Sequence, residues 1–221
     1  MKKKTSLSLL LFFFVIAITA QENKLPLKKW SSDDKPFVFY ISGDGGYTNF
    51  SEHICAAINK AGYNVTALNS KVYFNDKKTP QQTTTDIADY LNDELRKRKD
   101  QHFILAGYSF GADITPFVAN LLTDSLKKKL VSIVLLSPST TTDFEIHVWD
   151  MLGGKKKREM DVLTEINKLG TMKTAIILGG DDADFPANNI KLKNYAHQQL
   201  KGDHHYDGNV DEVARTMIKY F

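Results

Sequence analysis

His102-Phe103-Ile104-Leu105-Ala106-Gly107-Tyr108-Ser109-Phe110-Gly111 joins an apolar run to a glycine-x-serine-x-glycine turn. The run suits a strand, and the residues after it suit a helix. Strand, sharp turn and helix with a serine at the apex is the elbow that presents a nucleophile. Two glycines let the backbone turn tightly without a Cβ clash, so the hydroxyl projects over the sheet edge. A five-residue pattern also arises by chance. Its meaning depends on a glycine-rich loop upstream and on an acid and a histidine downstream, in that order.

Outward from the elbow, β-like and helix-like segments alternate. Strands are predicted at 37–42, 63–68, 102–106, 131–136 and 174–178, with a weaker one at 195–200. Ile54, Ala57, Ile58 and Ala61 fall at helical spacing. Thr79-Pro80 starts a helix with threonine as N-cap and proline at its first position, and Ile87, Tyr90, Leu91 and Leu95 form one face. The helix after the elbow runs to about Leu122, with Pro116 inside it as a bend. Residues 162–169 read as helical, and Asn209 caps a last helix bearing Val210, Val213, Met217, Ile218 and Phe221 on one side. Six strands alternating with helices predict an α/β domain with a mainly parallel sheet, spanning residues 36–221.

The first residues read differently. Lys2, Lys3 and Lys4 precede an apolar run at 9–18 and small residues at 17–20. That is the pattern of a secretory signal peptide over residues 1–20, cut after Ala20, with an uncleaved anchor as the alternative. The run falls short of the roughly 20 residues a transmembrane helix needs. Residues 21–35 are polar and read as a lead-in. The whole chain has 29 basic and 26 acidic residues; the leader holds three lysines and no acid, leaving 26 of each. A balanced chain with no basic stripe predicts no nucleic-acid partner. Cys55, the single cysteine, falls on the apolar face of a predicted helix, where a buried free thiol is expected.

A serine nucleophile needs a base, an acid to orient the base, and donors for the developing oxyanion. Ser42-Gly43-Asp44-Gly45-Gly46-Tyr47 follows the first strand, and a glycine-rich loop there exposes backbone N–H groups. The expected donors are the N–H of Phe110, next after the serine, and that of Asp44 or Gly45. The strand at 174–178 ends in Gly179-Gly180-Asp181-Asp182-Ala183-Asp184. An acid about three residues past the strand is the expected orienting group, which favours Asp182 over Asp181 and Asp184. Gly202-Asp203-His204-His205-Tyr206-Asp207 follows the last strand, and its spacing favours His204 over His205 as the base. The order is Ser109 as nucleophile after one strand, then an acid after the next but one, then a histidine. No metal or organic cofactor is needed for this chemistry.

Ile41 to Tyr47, Gly107 to Asp113 with Pro116-Phe117, Leu136-Ser137 followed by Asp143-Phe144-Glu145-Ile146-His147, and Gly202 to Gly208 together resemble the bacterial virulence protein VirJ family, which includes AcvB. The likeness runs from Phe37 to Phe221. Tyr47 stands where many relatives have tryptophan, Tyr206 where they have phenylalanine, and the acidic loop is richer in aspartate than the family pattern. The resemblance implies an α/β-hydrolase fold with a small cap segment, and a periplasmic location. It implies one of two roles: a serine hydrolase removing an aminoacyl group, such as lysyl, from phosphatidylglycerol, or an accessory factor linked to secretion-system proteins and virulence. On the first reading Tyr108 and Glu145 are candidate substrate contacts, Glu145 meeting the ammonium of a lysyl ester. Lys155, Lys156, Lys157 and Arg158 would then face an anionic membrane surface, at about 1 kcal/mol per charge.

Overall fold

The computed structural model describes residues 25–32, 35–147, 158–180, 182 and 185–221. The signal-peptide reading of residues 1–20, and Lys155 to Lys157 of the basic run, lie outside the described residues. In chain order the elements are β1 (Leu27–Trp30), β2 (Phe37–Ile41), α1 (Asn49–Lys60), β3 (Val65–Leu68), α2 (Ser70–Tyr73), α3 (Pro80–Leu95), β4 (Phe103–Tyr108), α4 (Phe110–Leu121), α5 (Asp124–Lys127), β5 (Leu130–Leu136), β6 (Thr141–Thr142), β7 (Met160–Asp161), α6 (Val162–Asn167), β8 (Thr174–Leu178), β9 (Tyr195–Gln199) and α7 (Val210–Ile218).

Seven strands form one sheet in the order β1-β3-β2-β4-β5-β8-β9, and β6 pairs with β7 alone. Every neighbouring pair in the large sheet is parallel except β1–β3. The central strands read as unbroken apolar runs because helices cover both faces. Phe37, Phe39 and Ile41 of β2 join Phe103 and Leu105 of β4 beneath Ile87, Leu91, Ile114 and Ile166. Val38 and Tyr40 join Ile104 and Ala106 beneath Ile54, Ile58, Val213 and Met217 on the other face. Each large aliphatic or aromatic side chain so buried contributes about 1.5–3 kcal/mol. Cys55 is fully buried in the second layer, and burial pushes its thiol pKa up, so it packs as a small apolar residue.

The helix starts follow local chemistry. Thr79 and Gln82 form a capping box ahead of α3, with Pro80 at the first position. Asn209 accepts a bond from the Glu212 N–H at the start of α7. α4 continues through Pro116, whose missing N–H leaves the Ala112 carbonyl without its usual donor.

Two regions differ from the sequence reading. The stretch read as a polar lead-in contributes β1, antiparallel to β3 at the sheet edge. Four residues with two lysines carry no apolar periodicity; the open edge of β3 makes them a strand. Lys28 and Lys29 turn outward to Glu52 and Glu94, a charged finish that protects an edge from further pairing. The β6–β7 pair also went unread, since two-residue strands leave no pattern.

Gly111, in the first turn of α4, sets the distance between that helix and β2. A Cβ there would meet the Ile41 carbonyl oxygen at 2.1 Å. Gly111→Ala is therefore expected to destabilise the fold by about 1–3 kcal/mol, as overpacking does. Thermal denaturation checks it; an unchanged midpoint would show that α4 can shift freely.

Candidate active site

The C-terminal ends of β2, β4, β5 and β8 lie along one edge of the sheet, as parallel pairing requires, and the loops leaving them meet there. Ser109 sits between β4 and α4 with φ 51 and ψ −121, a conformation a serine seldom adopts. Its N–H donates to the Leu136 carbonyl at 2.9 Å, and its carbonyl accepts from the Asp113 N–H at 3.1 Å. The turn is thus tied to β5 on one side and to its own helix on the other. Such backbone strain costs about 1–3 kcal/mol and persists only where surroundings enforce it.

The side chains of Ser109, His204 and Asp182 form one hydrogen-bonded line. Ser109 Oγ lies 2.9 Å from His204 Nε2, and His204 Nδ1 lies 2.9 Å from Asp182 Oδ1. Asp182 follows β8, its N–H donating to the Gly179 carbonyl while its Oδ2 accepts from the Gly179 N–H, both at 3.1 Å. A Cβ on Gly179 would lie 2.1 Å from the Asp203 carbonyl oxygen, so glycine is what lets the acid loop touch the histidine loop. Burial raises the Asp182 pKa, but hydrogen bonds from His204, Ser137 and Gly179 outweigh it and hold the carboxyl below its ordinary value. Asp182 is therefore ionised at neutral pH.

Of the alternates, Asp181 and Asp184 lie outside the described residues. His205 is exposed; its ring packs edge-on to Phe50 and lies 5.6 Å from the His204 ring, with no bond to Ser109. Asp44 and Gly45 stand in the turn after β2, closed by the Gly46 N–H on the Gly43 carbonyl at 3.0 Å. The Phe110 N–H opens α4, where it has no intrahelical acceptor and the helix dipole favours negative charge. Tyr108, read from sequence as a substrate contact, instead lies beneath the histidine loop: it is 5% exposed, and its hydroxyl donates to the His204 carbonyl at 3.3 Å.

Glu145 lines a small cleft of about 80 Å³ that begins at Asp44 and Phe110 and continues along Thr142, Asp143, His147 and Arg158. Asp143 Oδ2 holds His147 at 2.9 Å and Arg158 at 3.3 Å, while Glu145 stands 3.9 Å from His147. A larger surface groove, lined by His53, Lys60 and Asn209, sits between α1 and α7. It contains none of these groups, and the chemistry assigns the smaller cleft to the site. Among the described residues no cluster of three or more His, Cys, Asp or Glu side chains is arranged to hold a metal ion.

Sequence reasoning gave four residues of this region no role of their own. Ser137, after β5, donates to the Tyr206 hydroxyl at 2.8 Å; its position past a central strand was the available signal. Asp143 and His147, four residues apart, carried their own pairing signal. Asp113 is 4% exposed, burial pushing its carboxyl pKa well up, and it accepts from the Ser139 N–H at 2.6 Å. That bond ties α4 to the segment leaving β5.

Solved structures share this architecture. Rv0554 from Mycobacterium tuberculosis superposes with a TM-score of 0.66 at 15% identity, covering 89% of this chain and 93% of that one. A membrane phospholipase A described as a bacterial virulence factor gives 0.63 at 11%, covering 88% and 81%. Dienelactone hydrolase from Anabaena variabilis gives 0.61 at 12%, covering 90% and 92%. At such identities the likeness establishes the α/β-hydrolase fold alone. No curated protein matches the chain in sequence. The family model for the bacterial virulence protein VirJ matches residues 34–221, a span that holds β2 and every element after it, and the chain belongs to that family.

Proposed function

We propose that the protein is a serine ester hydrolase working through Ser109, His204 and Asp182. The observation that carries this is the unbroken line of two 2.9 Å contacts from a strained elbow serine to an ionised carboxylate. Ser109 Oγ attacks the ester carbonyl carbon as its proton passes to His204 Nε2. Asp182 holds the imidazole by its Nδ1–H and stabilises the cation that forms. The carbonyl oxygen takes up negative charge between the N–H groups of Phe110 and of Asp44 or Gly45. The proton on His204 goes to the departing alcohol, leaving an acyl-enzyme. Water, giving its proton to the same histidine, then releases the acid and restores Ser109.

The substrate we assign is an aminoacyl ester of phosphatidylglycerol, lysyl for example. The resemblance within the family motivates the class, and the cleft beside Phe110 supports it. Asp44, Asp143 and Glu145 line it with Arg158 and His147, and Asp143 pairs with Arg158 at 3.3 Å. Glu145, and Asp44 at the mouth, remain to meet an ammonium on the acyl group. A signal peptide at residues 1–20 would deliver the enzyme to the periplasm, where an anionic bilayer holds the substrate. A second reading, an accessory factor of secretion or virulence, is favoured by the family description.

Ser109→Ala is expected to abolish labelling by a fluorophosphonate probe, and Asp182→Asn to lower turnover of a soluble ester by about 10³–10⁴-fold. Wild-type protein that takes up no probe would sink the mechanism. Secretion partners captured equally by wild type and Ser109→Ala would favour the second reading.

Glu145→Gln is expected to raise KM for a lysyl ester about tenfold, the scale of one charged hydrogen bond, while leaving KM for an uncharged acyl ester alone. Steady-state kinetics on the two esters decides it. Equal effects on both would remove Glu145 from ammonium recognition.

A further inference from the structure

The short helix α2 and the turn after it, residues 70–78, follow β3. They therefore lie along the same edge of the sheet from which Ser109 projects. Two other loops of that edge hold the segment in place. The Ser70 N–H donates to Ser42 Oγ at 3.0 Å, and the Ser70 hydroxyl to the Ser42 carbonyl at 2.6 Å, just before the turn that carries Asp44 and Gly45. The Ile146 N–H donates to the Phe74 carbonyl at 2.9 Å, and the Lys78 N–H to the Phe144 carbonyl at 2.8 Å. The Phe74 ring is buried against Phe110, the residue after Ser109, with centroids 5.0 Å apart. Residues 70–78 thus form a rim that joins both segments from which the cleft takes its acids, Asp44 and Glu145.

Val72, on this rim, is 59% exposed; among the described residues the other large apolar side chain left exposed is Leu121, at 43%. Leu121 ends α4, a helix of twelve residues that begins beside Ser109, so roughly 16 Å of helix separates it from the site. Lys71 and Lys77 are exposed on either side of Val72 in sequence, and Lys78 is half-exposed, its Nζ 5.3 Å from the centroid of the Tyr73 ring. Asp76 is the one acid between residues 69 and 78. Among the described residues no carboxylate forms an ion pair with any of the three lysines. Asp44 and Glu145 are half-buried in the adjoining cleft. A lone exposed valine is ordinary. A valine flanked by unpaired lysines, on the rim of a cleft that holds acids, has the charge order of an anionic lipid ester with a cationic acyl group: positive against the headgroups, negative toward the acyl end.

We propose that residues 70–78 dock the protein on an anionic lipid bilayer, Val72 entering the headgroup layer while Lys71, Lys77 and Lys78 meet lipid phosphates. The inference deepens the proposed function and rests on it for its purpose, which is to bring the cleft against the bilayer that holds the ester. Each lysine near such a surface strengthens binding roughly fivefold, the equivalent of about 1 kcal/mol. Three lysines and one valine make a reversible attachment. Among the described residues no helix is long and apolar enough to cross a membrane.

The test uses the chain from Gln21 onward, the exported form on the reading above, which keeps every described element and removes the apolar leader. A Val72→Cys variant carries an environment-sensitive nitrobenzoxadiazole dye. Cys55 is fully buried and takes no label. Vesicles containing phosphatidylglycerol should raise and blue-shift the emission, and vesicles of phosphatidylcholine alone should not. The same dye on Leu121→Cys, at the far end of α4, should stay silent with both.

With the dye at position 72, Lys71→Gln together with Lys77→Gln should raise the lipid concentration for half-maximal signal about twentyfold, two factors of five. The charge-matched pair Lys97→Gln and Lys99→Gln, before β4 at the opposite edge of the sheet, should leave it unchanged. A silent label at position 72, an equal response to both lipids, or an equal loss from the two lysine pairs would overturn the docking surface. None of these readouts needs turnover. A label that responds as expected in a protein without esterase activity would sink the proposed function and keep the surface. A silent label in an active esterase would do the reverse.

Discussion

The backbone of Ser109 is the constraint on which the site depends. Its left-handed φ is held by the bond from its N–H to the Leu136 carbonyl and by the bond its carbonyl accepts from Asp113. The first bond fixes the turn to the neighbouring strand, and the second starts α4. Gly111 then lets that helix lie against the end of β2. Because β2, β4, β5 and β8 are parallel, their following loops converge where this turn projects. The strain is a local cost of about 1–3 kcal/mol. Two buried apolar layers, one on each face of the sheet, hold it in place.

The supports of the Ser109–His204–Asp182 line lie under this edge of the sheet rather than at it. Gly179 allows the acid loop to touch the histidine loop, Tyr108 supports the His204 carbonyl from below, and Tyr206 is clamped between Phe50, Ser137 and Ile177. Each support comes from a different strand end. His204 therefore gains its orientation from several strand ends as well as from Tyr206 of its own, largely exposed loop. Preorganisation of this kind is what a proton shuttle requires, since a misplaced imidazole loses rate steeply.

The charge arrangement adds a direction. The cleft containing Glu145 begins at Phe110, the residue next after Ser109, and at Asp44 in the turn after β2. Asp143 spends its charge on His147 and Arg158, which braces the segment from β6 onward. Among the described residues, the nearest basic side chain to Glu145 is His147, at 3.9 Å. That carboxylate is the reason the proposed function favours an acyl group bearing an ammonium.

Long apolar runs, the elbow glycines, the threonine and asparagine caps, and the strand-then-loop positions of Ser109, Asp182 and His204 were legible in the sequence, because each is a local rule about backbone or periodicity. β1 was not, since its strand character comes from the open edge of β3 and not from its four residues. The place of Tyr108 was hidden likewise: its position within the elbow says nothing about whether its ring meets a ligand or the underside of a loop. The roles of Ser137 and Tyr206 depend on groups 69 residues apart coming within hydrogen-bonding distance. The sequence by itself determined an α/β order with a serine, an acid and a histidine following three of its strands, in that order. Only the tertiary structure decided that Ser109, His204 and Asp182 meet, because hydrogen-bond geometry between distant loops is set by how strands register and helices pack, and neither is written in any local pattern.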